Sequence, residues 1–513
     1  MINRIGSSFR DGLSNRNGHG PIATDKIAGV DKSDTVPREK RISLFLCCLI
    51  IFNSIFTPLA QARIVPNRHV GSRCGQTVKE DKKNDTYIIN IAAPNGDGIS
   101  YNSFESFSIS ADDNRSKKIL INNRPKTSEN TFTETLKNIF GLNSMVESNP
   151  NIRWVDGAAS TIIFEINTGE SVNLNNSIIE LLGGENVTMI FASSRGMIIR
   201  ETIFRGTASR LDLIAGTIRI SDENKLEFNI RENGSMVFSA RWADNISLSA
   251  PDVEEIRLLG YTMRFSGEIF SREKITINSK ADIDLTYGAK LKTGTLDIQG
   301  SDLSISGPSS IETRDLRIKL EKGIRFSDRS TVNVLNDMEV IAEIWFFLGE
   351  ASKIKVGNNF SIDVQKDGLG LSGSSSIETK NLRIKSGRDI RFSDGSTVDV
   401  SNDMEATARG WFHLDGGSKI KVGNNLSLDT QEDDLIVFGL SSIRAKNLRI
   451  KSGKGIWFGD RSTVDVSNDV EATAGGLFLL DGGSKIKCNK KSLAVKVCDF
   501  RVSRSSGFEE RDP

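Results

Sequence analysis

The chain has almost no surplus of charge: 67 basic against 66 acidic residues leave +1 over 513 positions. That balance excludes a basic field for nucleic acid and an acidic one for cation storage. The scattered charges read as a solvated outer surface. Cysteine is scarce, at 5, and no Cys-x-x-Cys pair occurs, which argues against a zinc knuckle. Histidine is scarcer, at 3. Beyond residue 62 only His69 and His413 remain, and neither sits in a catalytic or metal motif. Tyrosine numbers 4 against 26 phenylalanines. Phenylalanine stacks inside a narrow apolar bore with no polar tip to satisfy. Helical periodicity is nearly missing, and TETLKNIFGL at 133–142 is the one short helix expected.

One long apolar run exists. Residues 42–62, ISLFLCCLIIFNSIFTPLAQA, follow Arg38, Lys40 and Arg41 and end in Ala60-Gln61-Ala62, a small-x-small cleavage signature. Asn53, Thr57 and Pro58 interrupt the run, which favours a cleaved secretory signal over a membrane anchor. The expected cut falls between Ala62 and Arg63, so residues 1–62 form an extended signal peptide. An exported chain meets an oxidising compartment. Cys488 and Cys498 then either close a small loop or remain two independent thiols, and Cys74 is left odd.

What is abundant is repetition. SSIETRDLRI, SSIETKNLRI and SSIRAKNLRI place Ile311, Ile377 and Ile443 at intervals of 66. Within each block an apolar landmark recurs at Ile311, Val332, Ile354, Ile377, Val398, Ile420, Ile443, Val464 and Ile486, in steps of 21, 22 and 23. The unit is therefore about 22 residues. Leucine-rich repeats are excluded, because their Leu frame and helical half are missing. Short alternating stretches such as TVDVS, SKIKVG and NLRIK, separated by Gly, Asn, Asp and Ser, predict three short strands per coil. The fold class expected is all-β: a three-faced parallel β-helix with the apolar landmarks stacked inward. A second column (Asp315, Asn336, Asn358, Asn381, Asn402, Asn424, Asn447, Asn468, Asn489) predicts an asparagine ladder at one corner, helped by the tolerance of Asn for left-handed backbone. Asp328, Asp394 and Asp460 are expected in turns as solvated residues, since a rung residue repeats and a catalytic one does not. Trp345-Phe346-Phe347, Trp411-Phe412-His413 and Gly476-Leu477-Phe478 are expected to stack inside; on the outside they form an apolar stripe that asks for a partner.

Along the chain, alternation begins at Tyr87 and resumes at STIIFEI, NVTMIFA, RLDLIAG, TIRISD and KLEFNI. Looser coils occupy 226–308, the regular array 309–487, and a tail with the cysteine pair 488–513.

NIAAPNGDGISYNSFESFSI at 90–109, then Ile121-Asn122-Asn123, then Asn149-Pro150-Asn151-Ile152 and GAASTIIFEINTG at 157–169, resemble in order and spacing the secretion domain of two-partner-secretion exoproteins, the filamentous-haemagglutinin-like family. The resemblance covers roughly 86–220. It implies a right-handed β-helix with a capped N-terminal end over 63–225. It also implies transporter recognition through Asn149, Pro150, Asn151 and Ile152, with an outer-membrane β-barrel of a Gram-negative bacterium as partner. The family's second Asn-Pro motif is replaced here by Ala192-Ser193-Ser194-Arg195-Gly196-Met197. The Cys488/Cys498 pair is similar to that of the high-molecular-weight adhesins of this family, which implies a closed loop holding the protein at its transporter. The same likeness implies glycosylation at Asn-x-Ser/Thr, available at Asn84, Asn114, Asn175, Asn186, Asn233, Asn245, Asn359 and Asn425.

The function expected is a secreted or surface-exposed adhesin that meets a protein or glycan receptor, with no catalysis and no cofactor. A contact-dependent toxin or haemolysin would need a globular domain after the last rung, where only about 25 residues follow. A β-helical carbohydrate-active enzyme would need a non-repeated cluster of carboxylates, and none stands out.

Overall fold

The computed structural model describes residues 63–67, 75–109, 116–126, 147–166, 171–221, 225–230, 232, 234–239, 246–488 and 493–510. The expected signal segment with Ala62, the short helix at 133–142, His69, Cys74 and the acceptor positions Asn114, Asn233 and Asn245 lie outside them.

Almost every described element is a strand, and nearly all pairings are parallel and one coil apart. Ile311 pairs with Val332, Val332 with Ile354, and Ile354 with Ile377. Ile377 pairs with Val398, Val398 with Ile420, Ile420 with Ile443, Ile443 with Val464, and Val464 with Ile486. The apolar landmarks therefore stack along one axis, as their spacing predicts. Each coil contributes three strands. Ser376–Thr379, Asn381–Ser386 and Ile390–Phe392 form one such coil, and they define the first, second and third faces. Alternation puts Ile377, Leu382, Ile384, Ile390 and Phe392 inside and Glu378, Arg383, Lys385 and Arg391 outside. One apolar core runs from Ile64 to Cys488. Phenylalanines fill it in contacting pairs: Phe326 with Phe346 at 5.8 Å, Phe392 with Phe412 at 5.6 Å, and Phe458 with Phe478 at 5.8 Å. Each fully buried ring or aliphatic contributes about 1.5–3 kcal/mol over an exposed one.

The corner after the third face is a column of β-turns closed by serine. Ser330 N–H donates to Ser327 O, Ser396 to Ser393 O, and Ser462 to Gly459 O. Asp328, Asp394 and Asp460 sit here at φ of 53°, 56° and 51°, so the repeated aspartates are turn residues, as expected. The buried serine hydroxyls bridge coils at 3.1–3.2 Å: Ser330 with Ser352, Ser396 with Ser418, Ser462 with Ser484.

The amide ladder is present at the corner between the first and second faces, drawn both from the column read from sequence and from the residues one position later: Asn402 Nδ2 donates to Asn381 Oδ1 (2.8 Å) and Asn424 Nδ2 to Asp403 Oδ1 (3.1 Å). Asn359 Nδ2 donates to Asp337 Oδ1 (2.8 Å), Asn381 Nδ2 to Asn359 Oδ1 (2.9 Å), Asn425 Nδ2 to Asp403 Oδ1 (2.8 Å) and Asn447 Nδ2 to Asn425 Oδ1 (2.8 Å). None of these asparagines has positive φ. Cross-coil amide bonding selects them, while left-handed backbone belongs to the serine-closed corner.

Two features depart from simple stacking. At the start, Arg63–Pro66 pairs antiparallel with Ile99–Ile109, and Thr77–Asp81 pairs antiparallel with Thr86–Asn90. These strands cover edges that would otherwise invite another chain. TIRISD and KLEFNI are not solenoid strands. Gly216–Ile220 and Leu226–Ile230 form an antiparallel hairpin of their own, closed by Ser221 N–H donating to Lys225 O (2.9 Å). It lies on the outside, over Ile163, Ile190, Ala192 and Ile214. Its alternation is the same in either pairing mode, and the short connection dictates a hairpin.

Candidate functional site

Asn149-Pro150-Asn151-Ile152 forms a tight turn, with Ile152 N–H donating to Asn149 O (3.3 Å). Asparagine suits such a turn because its side chain bonds backbone two residues on: Asn151 N–H donates to Asn149 Oδ1 (2.9 Å). The Asn149 amide is fully buried and donates to Ile91 O (2.9 Å) and Asn122 O (2.7 Å). Asn151 Nδ2 reaches Asn90 O (3.2 Å) and Ile91 O (3.1 Å). Asn122 Nδ2 donates to Asn90 Oδ1 (2.8 Å), and Asn123 exchanges two bonds with the Ala159 backbone (2.7 and 2.9 Å). Asparagines from separate coils thus knit the turn to strands Thr86–Asn90 and Lys117–Asn122. Ile152 is wholly inside the core.

The four motif residues therefore divide. Asn149 and Ile152 hold the turn from within, Asn151 is half-buried, and of the four only Pro150 is exposed. Beside it, the 3₁₀ turn Trp154–Asp156 carries Val155, 62% exposed. An Arg153–Asp156 ion pair at 3.1 Å stiffens this turn, and the hydrogen bond from Arg153 holds the Asp156 carboxyl below its usual range. At 192–197, where the second Asn-Pro motif is missing, the turn survives through Gly196 at φ +98°; a Cβ there would lie 2.1 Å from Ser235 O.

Further along, the three outer faces differ. On the second face Arg317–Glu339 (3.1 Å), Arg383–Glu405 (3.5 Å) and Arg449–Glu471 (3.4 Å) pair across coils. On the first face Lys355–Glu378 (2.6 Å) and Lys421–Asp399 (3.0 Å) do the same. The third face is aromatic. The expectation of interior stacking holds for Phe346, Phe412 and Phe478, each 1% exposed. Their neighbours Trp345, Phe347, Trp411 and His413 point outward, because alternation sends flanking residues to the opposite side. Trp411 is 45% exposed, and Trp457, which aligns with Arg391 and Arg325 of other repeats and escaped the sequence reading, is 36% exposed. His413 stands 3.6 Å from Asp415, which also holds Arg391 at 2.9 Å. Burial, opposed by Asp415, lowers the His413 pKa.

The expected cysteine loop is absent from this structure. Cys488 ends the inward alternation of Lys485–Cys488 and is buried, while Cys498 is an exposed thiol 3.3 Å from Gly475 O. Strand Leu493–Lys496 runs between them.

No known protein-family profile matches the chain. It is similar to a crystallised filamentous hemagglutinin secretion domain. The identity is 16% and the TM-score 0.31, over 63% of this chain and 97% of that one. It is also 20% identical over 430 residues to the protein adenylyltransferase and cysteine protease IbpA of Histophilus somni (strain 2336). That match covers 79% of this chain and 9% of IbpA, so the chain spans a small part of the curated relative. The coils themselves, stacked in parallel register about 22 residues apart, are those of a β-solenoid. The expectation of a protein without catalysis is corrected by IbpA, a relative named for two enzymatic activities.

Proposed function

We propose that the chain is a secreted, adhesin-type exoprotein. Its first coils engage an outer-membrane two-partner-secretion transporter, and its stacked coils present a binding surface outside the cell. The observation that carries the reading is the asparagine-knit turn at 149–152, a rigid platform showing Pro150 and Val155 in the capped first coils of a long parallel solenoid. Transporter contact then falls on Pro150 and the exposed edge of Asn151, with Asn149 and Ile152 as positioning residues. The test is co-expression with a cognate transporter and measurement of extracellular protein. Pro150→Ala and Val155→Asp should lower export while the purified chains keep unchanged β-sheet circular dichroism and melting. Wild-type export by both variants would overturn the assignment.

A second reading rests on the IbpA match: the solenoid presents an enzymatic unit instead of, or along with, a binding surface. Incubation with ATP and host-cell extract, followed by mass spectrometry for adenylylated protein, tests it. Absence of modification counts against it.

A further inference from the structure

The first and second outer faces use their charges on one another through the cross-coil pairs above. The third face carries one such pair, Arg391–Asp415 (2.9 Å), and is otherwise lined mainly by aromatic, aliphatic and glycine positions. Register carries one outward column through Phe347, Gly370, Arg391, His413, Ile436 and Trp457. Its aromatic rings lie against glycine backbone. A Cβ added at Gly323 would stand 2.4 Å from both atoms of the bond shared by the two rings of Trp345; one at Gly455 would stand 2.8 Å from the Trp457 indole nitrogen; one at Gly459 would stand 1.9 Å from Phe438. Only glycine leaves room for a ring in these places, so the glycines set the rings close along the sheet, where a ring turns a face to solvent. Arg325 packs against Trp345 (5.8 Å) and Phe347 (5.6 Å), which leaves Trp411 and Trp457 as the open platforms.

Trp411 immediately precedes strand Phe412–Leu414, and Trp457 stands two rungs beyond His413, so the indoles are two coils apart along the axis and two residues apart across the face. At about 4.8 Å per coil and 3.3 Å per residue those steps are roughly 9.6 Å and 6.6 Å, a span on the order of a disaccharide in an extended glycan. Fixed polar groups border them. Asp415 is held by Arg391, Asp389 Oδ1 accepts from Trp411 N–H (3.0 Å), and Asp434 Oδ1 accepts from Gly455 N–H (2.7 Å). Each carboxylate keeps lone pairs for hydroxyl donors. The cation of Arg391 is already matched by Asp415, so the stripe offers stacking and acceptors rather than a field for a polyanion.

We infer that the third face binds an extended chain of neutral pyranose sugars, with Trp411 and Trp457 as stacking platforms and Asp389, Asp415 and Asp434 as hydroxyl acceptors. This rests on the reading of the chain as a surface-presented binding protein and names the ligand class for it. Pyranose rings lay their C–H faces on aromatic rings and their hydroxyls on carboxylates at the ring edge.

The experiment uses the purified chain on an array of linear neutral oligosaccharides (β-linked glucose, N-acetylglucosamine, galactose and mannose), with sulfated oligosaccharides and immobilised host-surface proteins alongside. Titration with the best neutral ligand follows, monitored by tryptophan fluorescence and calorimetry. Trp411→Ala and Trp457→Ala are each expected to weaken binding at least about tenfold, as loss of an aromatic anchor does. Arg383→Gln on the second face should leave binding unchanged, and all three variants should melt like wild type. No binding of any neutral oligosaccharide overturns the inference, as does equal binding by the tryptophan variants. Binding confined to sulfated chains or to a protein does so too. Export of the same variants is measured separately, so failed glycan binding with normal secretion defeats this inference alone and leaves the export reading standing.

Discussion

Asn149→Ala tests the asparagine network most directly. The side-chain amide is fully buried and donates to two backbone carbonyls, Ile91 O and Asn122 O, while its Oδ1 accepts from Asn151 N–H. Alanine removes three hydrogen bonds; Ile91 O keeps the one from Asn151 Nδ2, while Asn122 O and the Asn151 amide each lose the bond that Asn149 supplied. A buried group left short of its bond costs about 1–3 kcal/mol, so the two together cost the turn roughly 2–6 kcal/mol unless water enters. A solenoid is close to one-dimensional, and each coil answers mainly to its neighbours. The loss should therefore stay local. Hydrogen exchange followed by mass spectrometry should show peptides across 87–92 and 117–123 losing protection by two or more orders of magnitude, about 1.4 kcal/mol per tenfold, while peptides across 377–422 exchange as in wild type. Unchanged protection at 87–92 would refute the claim that this amide holds the first coils. Loss of protection at 377–422 would refute the independence of the coils.

Three further outcomes follow. Phe412→Ala empties a bore position 1% exposed and facing Phe392; a cost of about 3–5 kcal/mol should appear as earlier urea unfolding, and a midpoint equal to wild type would contradict its place inside. Asp212 is fully buried 3.0 Å from Arg210 and 3.7 Å from Arg257, and burial raises its pKa. The folded state then holds its proton more tightly, so the associated stability is complete below the ordinary carboxyl range and fades as pH rises through the raised value. Above about pH 4, the ordinary carboxyl value, Asp212→Asn should flatten the fall in melting temperature with rising pH, and a slope identical to wild type would remove the assignment. In the native chain a maleimide probe should label Cys498 well before Cys488, because one thiol is exposed and the other buried; equal rates would contradict that placement, and failure of both to label without reductant would show a disulfide.

The stacking of Ile377, Val398 and Ile420 was legible because the repeat displays it coil after coil, and three strands per coil followed from two-residue alternation. Other features depended on choices that alternation leaves open. Asn358-Asn359, Asn402-Asp403 and Asn424-Asn425 are doublets, and sequence does not tell which member meets the next coil; in the ladder Asn359 and Asn425 do so as second members and Asn402 and Asn424 as first. The hairpin at 216–230 carries the same pattern as a coil strand. Burial of Asn149 follows from partners 27 and 58 residues away, which no local pattern records. The cysteine placement, by contrast, was readable. In Lys485-Ile486-Lys487-Cys488 the lysines point out, so the cysteine points in.

Why the period is 66 rather than 22 follows from the outer surface. In a parallel in-register stack, equivalent residues sit only about 4.8 Å apart. A strict 22-residue repeat would therefore set every outward arginine against another arginine. The inward positions gain nothing from a longer period, since isoleucine or valine serves at each landmark. The second face shows what the tripling achieves: Arg383, Glu405 and Ser427 succeed one another by register, and Arg449 opens the next set. Each arginine meets a glutamate on the following coil, and no two like charges at this position are adjacent. Exposed pairs of this kind contribute at most about 1 kcal/mol each, so their weight lies in avoiding repulsion along the stack more than in stabilising any one coil. On the third face the same three-coil freedom spaces tryptophan, arginine and glycine, which is how a repetitive core carries an outer stripe that is not repetitive at every rung.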